Sequence, residues 1–188
     1  MNARSSREEF ALLLCTLLAV AVCAYTPVWD PDTFWHLAVG KEIVRSGHLM
    51  HVETFSFAVP GVPWEDTEWL FHLAAYPLWR VGGFVLLQVV TAGAALLAVL
   101  ISYIAARAMG VSPLAFCCLV SLFMNPLLGR MRFRPDLASA LLFALLVWVL
   151  LRDAAVAPTL RTRGIWIVLI FLVWIQFHGG WAYGAFLL

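Results

Sequence analysis

Five apolar runs, at about 10–28, 83–106, 111–128, 137–151 and 164–177, constrain this chain more than any other feature. A helix of ~20 apolar residues crosses the ~30 Å of a bilayer's hydrocarbon, and the first two runs reach that length. The third and fourth are short and need snorkelling at their ends or local thinning of the bilayer. A sixth run begins near Trp181 and stops at Leu188, too short to cross alone. Composition agrees: 63% of residues are hydrophobic and 12% charged, against about half and a quarter in a water-soluble domain. The expected class is all-α, a polytopic membrane bundle of about five to six spans. A long outer loop over 29–82 carries two interfacial helices.

Lysine and arginine placement sets the orientation. With Arg4 and Arg7 in the cytoplasm, residues 1–9 lie inside and 10–28 form the first span. The 107–110 turn and the 152–163 loop then also lie inside, and 29–82, 129–136 and 178–180 lie outside. The first run has small residues at Val22-Cys23-Ala24, as a cleaved signal peptide would, but its length and the polytopic remainder favour a retained span. Cys15, Cys23, Cys117 and Cys118 fall within apolar runs and read as small hydrophobes, not as a disulfide or metal framework. A net charge of +1 with no basic helix face gives no sign of a nucleic-acid partner.

The outer segment "RMRFRPDL" breaks the positive-inside pattern with Arg130, Arg132 and Arg134. Two accounts stand. Long side chains can snorkel to headgroups from two short helices, or guanidinium forks can grip phosphate oxygens at headgroup depth. Asp136 fits either a helix start or a salt bridge to one of these arginines.

The 29–82 segment is too polar to span yet rich in tryptophan, which favours the headgroup level. Residues 33–46 and 67–80 read as short helices lying in the interface. Ahead of the first sits Asp30-Pro31-Asp32. Proline keeps this tripeptide extended, so the carboxylates two apart point the same way. Such a pair can hold a divalent cation through hard oxygens or keep one member as a general base; Asp32 can also cap the 33–46 helix. The five histidines supply no HxxxH or HExxH pair, so zinc has no helical motif here. Glu65, Asp66 and Glu68 read as a solvated loop and helix start, where negative charge is favoured.

The order "DPDTFWHLAVGKEIV…SG", "TFSF…GVPWEDTEWL", "RMRFRPDL" and "WIQFHGGWAYG" resembles the N-terminal half of GT-C fold glycosyltransferases. That superfamily includes protein O-mannosyltransferases and lipid A aminoarabinose transferases. The resemblance implies sugar transfer from a polyprenyl-phosphate donor to a glycan, lipid or protein acceptor on the outer face of a bacterial inner membrane. It implies that the first outer loop supplies an acidic base or metal contact, which maps to Asp32 with Asp30 as the near alternative. Magnesium or manganese would be the ion. Arg132 or Arg134 would meet the lipid phosphate, with Arg130 beside them, and His36, Glu68 and His178 complete the candidate substrate-binding set. Family members run several times longer, so residues 1–188 are expected to be an N-terminal module cut short at its C-terminus.

Two other classes compete. A transporter would carry ionisable residues within its spans, whereas these runs hold little beyond Gln88 and Gln176. A non-catalytic membrane partner that binds lipid phosphate would need only the arginine cluster.

Overall fold

The computed structural model describes residues 3–128, 130, 132–155 and 160–188. Among them the chain is all-helical, 75% helix with no strand. The helices are α1 (Ala3–Ala24), α2 (Pro31–Ser46), α3 (Trp69–Ala108), α4 (Pro113–Leu128), α5 (Pro135–Ala155), α6 (Leu160–Phe177) and α7 (Trp181–Ala185). One of them, α3, is long and apolar enough to cross a membrane; Pro113–Met124, Pro135–Leu151 and Thr162–Phe177 are shorter apolar helical stretches. Residues 156–159, in the middle of the expected 152–163 loop, lie outside the described residues.

Local chemistry sets the boundaries. The helix expected to run through residue 28 ends at Ala24, because Pro27 lacks an N–H and steers Thr26 away from helical geometry. The helix expected from residue 33 begins at Pro31, and its cap is Asp30 rather than Asp32. Asp30 is extended (φ −75°, ψ 119°), and its carboxylate accepts the Asp32 N–H. Proline suits the first helical position because the N–H it lacks would be unpaired there anyway. Gly47, left-handed at φ 75°, closes the other end by donating to the Ile43 carbonyl.

The expected helices at 67–80 and 83–106 join as the two arms of α3. Their junction is Gly83, at φ 60° and ψ −156°, inside an otherwise helical run. That backbone region belongs almost wholly to glycine. Between α2 and α3, residues 47–68 form an irregular excursion, pinched by a single bridge between Val52 and Pro63.

α3 is the hub, packing against α1, α2, α4, α5 and α6. Leu37, Phe71, Leu87 and Phe133 form a buried cluster that ties α2 and α3 to the 130–134 turn. Val39, Ile43 and Met50 pack with Trp35 and Trp64 to hold the excursion onto α2. Leu146, Val149, Ile170 and Trp174 join α5 to α6. The outward faces are strongly apolar: Phe10, Leu14, Leu18 and Val22 form an exposed i, i+4 stripe on α1, and Ile165, Val168 and Leu172 are exposed on α6.

Gly40 decides how closely α2 meets α3. A Cβ there would lie 2.1 Å from the His72 carbonyl oxygen and 2.9 Å from Tyr76 Cβ. Without a side chain at residue 40 the two backbones touch, and His36, one turn earlier on α2, comes level with His72.

Candidate functional site

Asp30 is 3% exposed, which would be costly for a lone carboxylate. Arg134, arriving from the turn before α5, resolves that cost. Its Nη2 donates to Asp30 Oδ1 at 2.6 Å, and its Nε faces Asp30 Oδ2. This hydrogen bond is the main reason the Asp30 carboxyl sits below its usual range; burial works against it. The same bond holds the Arg134 guanidinium above its usual value. Arg134 Nη2 also reaches Asp32 Oδ2 at 2.8 Å, so one guanidinium bridges both carboxylates. Asp32 itself stays 57% exposed. Arg132 is 3.8 Å from Asp30 Oδ2 and half-exposed. Thr33 donates to the Phe133 carbonyl at 3.1 Å, which pins this turn to the start of α2. A crevice of about 150 Å³ opens alongside, lined by Asp30, Thr33, Gln88, Thr91 and Arg132.

This arrangement does not fit a magnesium or manganese ion on Asp30 and Asp32. Such ions need several free oxygens in near-octahedral array, and here the cationic position between the carboxylates is taken by Arg134.

A second cluster adjoins the first. Asp136, in the first turn of α5, lies 3.3 Å from Arg130 Nη1 and 3.4 Å from His178 Nε2; Glu68 Oε1 lies 3.7 Å from the same His178 nitrogen. The His178 tautomer follows from its other side. Trp174 Nε1 donates to Ser139 Oγ at 2.8 Å, Ser139 is 2.8 Å from His178 Nδ1, and the Gly180 N–H donates to that Nδ1 at 3.1 Å. Indole and amide nitrogens only donate, so Ser139 passes its own proton to Nδ1. The Nε2–H therefore points at the two carboxylates. Burial pushes the Glu68 carboxyl above its usual value, with His178 and His72 opposing. Trp69 Nε1 donates to Gln176 Oε1 at 2.7 Å and locks the start of α3 to the end of α6.

Arg130 and Asp136 stand at the boundary of two cavities. One, of about 780 Å³, is polar in part and runs past His178 and Gly179 to Tyr183. The other, of about 330 Å³, is an apolar slot between α3, α4 and α5 lined by Ala95, Val99, Phe116, Leu137 and Phe143.

A third group is a buried chain. His36 Nδ1 lies 2.8 Å from His72 Nε2, and His72 Nδ1 lies 2.9 Å from Asp66 Oδ2. Trp35 and Phe71 pack edge-on around the rings. Burial, then the neighbouring His72, holds the His36 imidazole down to about 3, so it stays neutral.

The expected site residues thus come together from four distant segments: Asp30 and Asp32, Glu68, Arg130 to Asp136, and His178. Their roles differ from expectation in two places. Arg134 is spent on the carboxylates, leaving Arg132 and Arg130 as the guanidiniums open to a ligand. His36 does not face the crevice; it is buried against His72. Ser139 and His72 were not anticipated, and Asp66, expected in a solvated loop, has its side chain buried against His72. Ser139 had no motif, while Glu68 and His72 are separated by four, the spacing that puts two side chains on one helix face. No protein-family model, curated protein or solved structure matches the chain.

Proposed function

We propose that this chain is a multi-pass membrane module of the GT-C type that handles a polyprenyl-phosphate-linked sugar at the outer face of a bacterial inner membrane. The observation that carries this is the meeting of the exposed Arg130, its partner Asp136 and His178 at the mouth of an apolar slot, with Arg132 lining the neighbouring crevice. An isoprenoid tail is apolar and a phosphate head doubly acceptor-rich; the slot suits one and Arg130 with Arg132 the other. The exposed apolar stripes on α1 and α6 support five to six spans, since faces so large and apolar need hydrocarbon around them. The N-terminus is cytoplasmic in this arrangement.

In the transfer step Asp32, the exposed member of the acidic pair, takes the acceptor's hydroxyl proton as the oxygen attacks the anomeric carbon. The bond from that carbon to the phosphate oxygen breaks, and its electron pair stays on the phosphate. Arg132 and Arg130 stabilise the charge that gathers there. Asp30, clamped by Arg134, is a positioning residue. The test pairs two measurements. Asp32→Asn abolishes sugar transfer while inserting normally, and Arg132→Ala with Arg130→Ala weakens capture of a short-chain polyprenyl phosphate in nanodiscs. Transfer by the Asp32→Asn protein at the wild-type rate overturns the base assignment, and unchanged capture by the double variant overturns the phosphate assignment.

One observation favours a second reading, a non-catalytic partner that presents lipid phosphate. Arg134 neutralises both carboxylates and lowers the basicity of Asp30, which suits holding a ligand better than abstracting a proton. Intact phosphate capture without transfer in any acceptor mixture selects it.

A further inference from the structure

We propose that His36, His72 and Glu68 form a binding site for one zinc ion, separate from the Asp30–Arg134 cluster and independent of the glycosyl-transfer reading. The ligand atoms of the three residues, one from each, all lie within 4.8 Å of one another. Two imidazole nitrogens and a carboxylate oxygen, with a fourth position left open, are the donor set of many catalytic zinc sites.

Three further features point the same way. Asp66, itself 2% exposed, lies 2.9 Å from His72 Nδ1 and fixes that nitrogen as a donor. His72 is therefore aimed with Nε2 toward His36 and Glu68, the carboxylate–histidine support that metal-bound imidazoles use. Glu68 is half-buried and, among the described residues, no cation is hydrogen-bonded to it; the basic side chain nearest its carboxylate is His178 at 3.7 Å. A carboxylate so placed is stabilised by a positive ion beside it. Finally, Trp35, Phe71 and the Gly40–His72 backbone contact hold both rings in a dry wall, which limits their reorientation.

The His36 to His72 spacing of 2.8 Å is that of two nitrogens sharing one proton. On tetrahedral zinc the same nitrogens stand about 3.3 Å apart. The rings must therefore part by roughly half an ångström as the ion enters, and the shared proton moves to the far nitrogen of His36. Zinc, with its affinity for mixed nitrogen and oxygen donors, fits better than magnesium or calcium, which take oxygen alone.

The test uses the full chain in detergent, stripped with chelator, re-equilibrated with zinc and dialysed. The expected result is one zinc per chain, with an X-ray absorption spectrum showing two imidazoles and no sulfur. Glu68→Gln and His72→Gln lose the ion, and Asp66→Asn weakens it by about 10- to 100-fold. A His48→Ala/His51→Ala variant, altered only at loop positions outside the site, retains it. Failure of the wild-type chain to hold zinc, a spectrum with fewer than two imidazoles, or loss of the ion in the loop variant would each overturn the proposal. The spectrum is taken on unmutated protein, so it decides even if the His72 variant misfolds.

Discussion

Arg134 grips Asp30 through two of its nitrogens across a separation of 104 residues. The carboxylate is sealed from solvent while a third of the arginine side chain is not. Removing the cation leaves a buried, unpaired charge, the costly way to break an ion pair. Arg134→Ala should therefore destabilise the chain by about 2–3 kcal/mol, below the range for a fully buried pair because the arginine is partly solvated. Adding Asp30→Asn to it should recover part of that loss. Thermal unfolding in detergent measures both, and strictly additive losses would show that the two residues are uncoupled.

Gly40→Ala should force α2 away from α3. Its Cβ would meet the His72 carbonyl oxygen, a backbone atom that cannot swing aside. Overpacking of this kind costs about 1–3 kcal/mol. The same melts report it, and a Gly40→Ala protein as stable as wild type would contradict the close approach.

Two glycines on α3 should respond oppositely to alanine. Gly83→Ala meets no atom within 4 Å but must adopt φ 60°, a strain of about 1–3 kcal/mol. Gly93 is equally uncrowded and helical, so Gly93→Ala should stabilise by up to about 1 kcal/mol through helix propensity. Equal effects at the two positions would mean that α3 is straight at Gly83.

Acid should weaken the metal-free fold through His36. Unfolded, this imidazole takes a proton near pH 6.5; folded, burial delays that to about 3. Between those values the unfolded state binds the extra proton, so stability falls as pH is lowered, by up to about 1.4 kcal/mol per pH unit. Glu68, held above its usual value, acts in the opposite sense. Its contribution is present below the unfolded pKa and is lost as pH rises through the folded one, so it offsets part of the His36 effect in the lower half of the window. Denaturation with chelator present, compared with His36→Gln, isolates the effect. Matching slopes in the two proteins would remove His36 as the cause.

Much of the helical layout was legible. Apolar runs placed the second arm of α3 and the helices α4 to α6 within a few residues. What could not be read was how helices meet. Asp30 rather than Asp32 caps α2 because proline prefers the first helical position over a later one, a local rule that outweighs the adjacency of Asp32 to residue 33. The helix at 67–80 and the next meet end to end at Gly83, whose backbone (φ 60°, ψ −156°) kinks the chain between them. The arginines could be recognised as unusual from charge alone, but not that Arg134 would be consumed by Asp30, since that depends on a turn packed through Phe133. His72 lies in an apolar stretch at the start of α3, and only its spacing from Glu68 hinted at a polar role.

The distance in sequence between Asp30 and Arg134 also orders events during synthesis. The two acids flanking Pro31 emerge more than a hundred residues before the guanidinium that neutralises them. Until then Asp30 has no partner that would let it leave water. The end of α1 must stay hydrated while α3 and α4 are laid down, and the crevice closes only once the turn before α5 arrives.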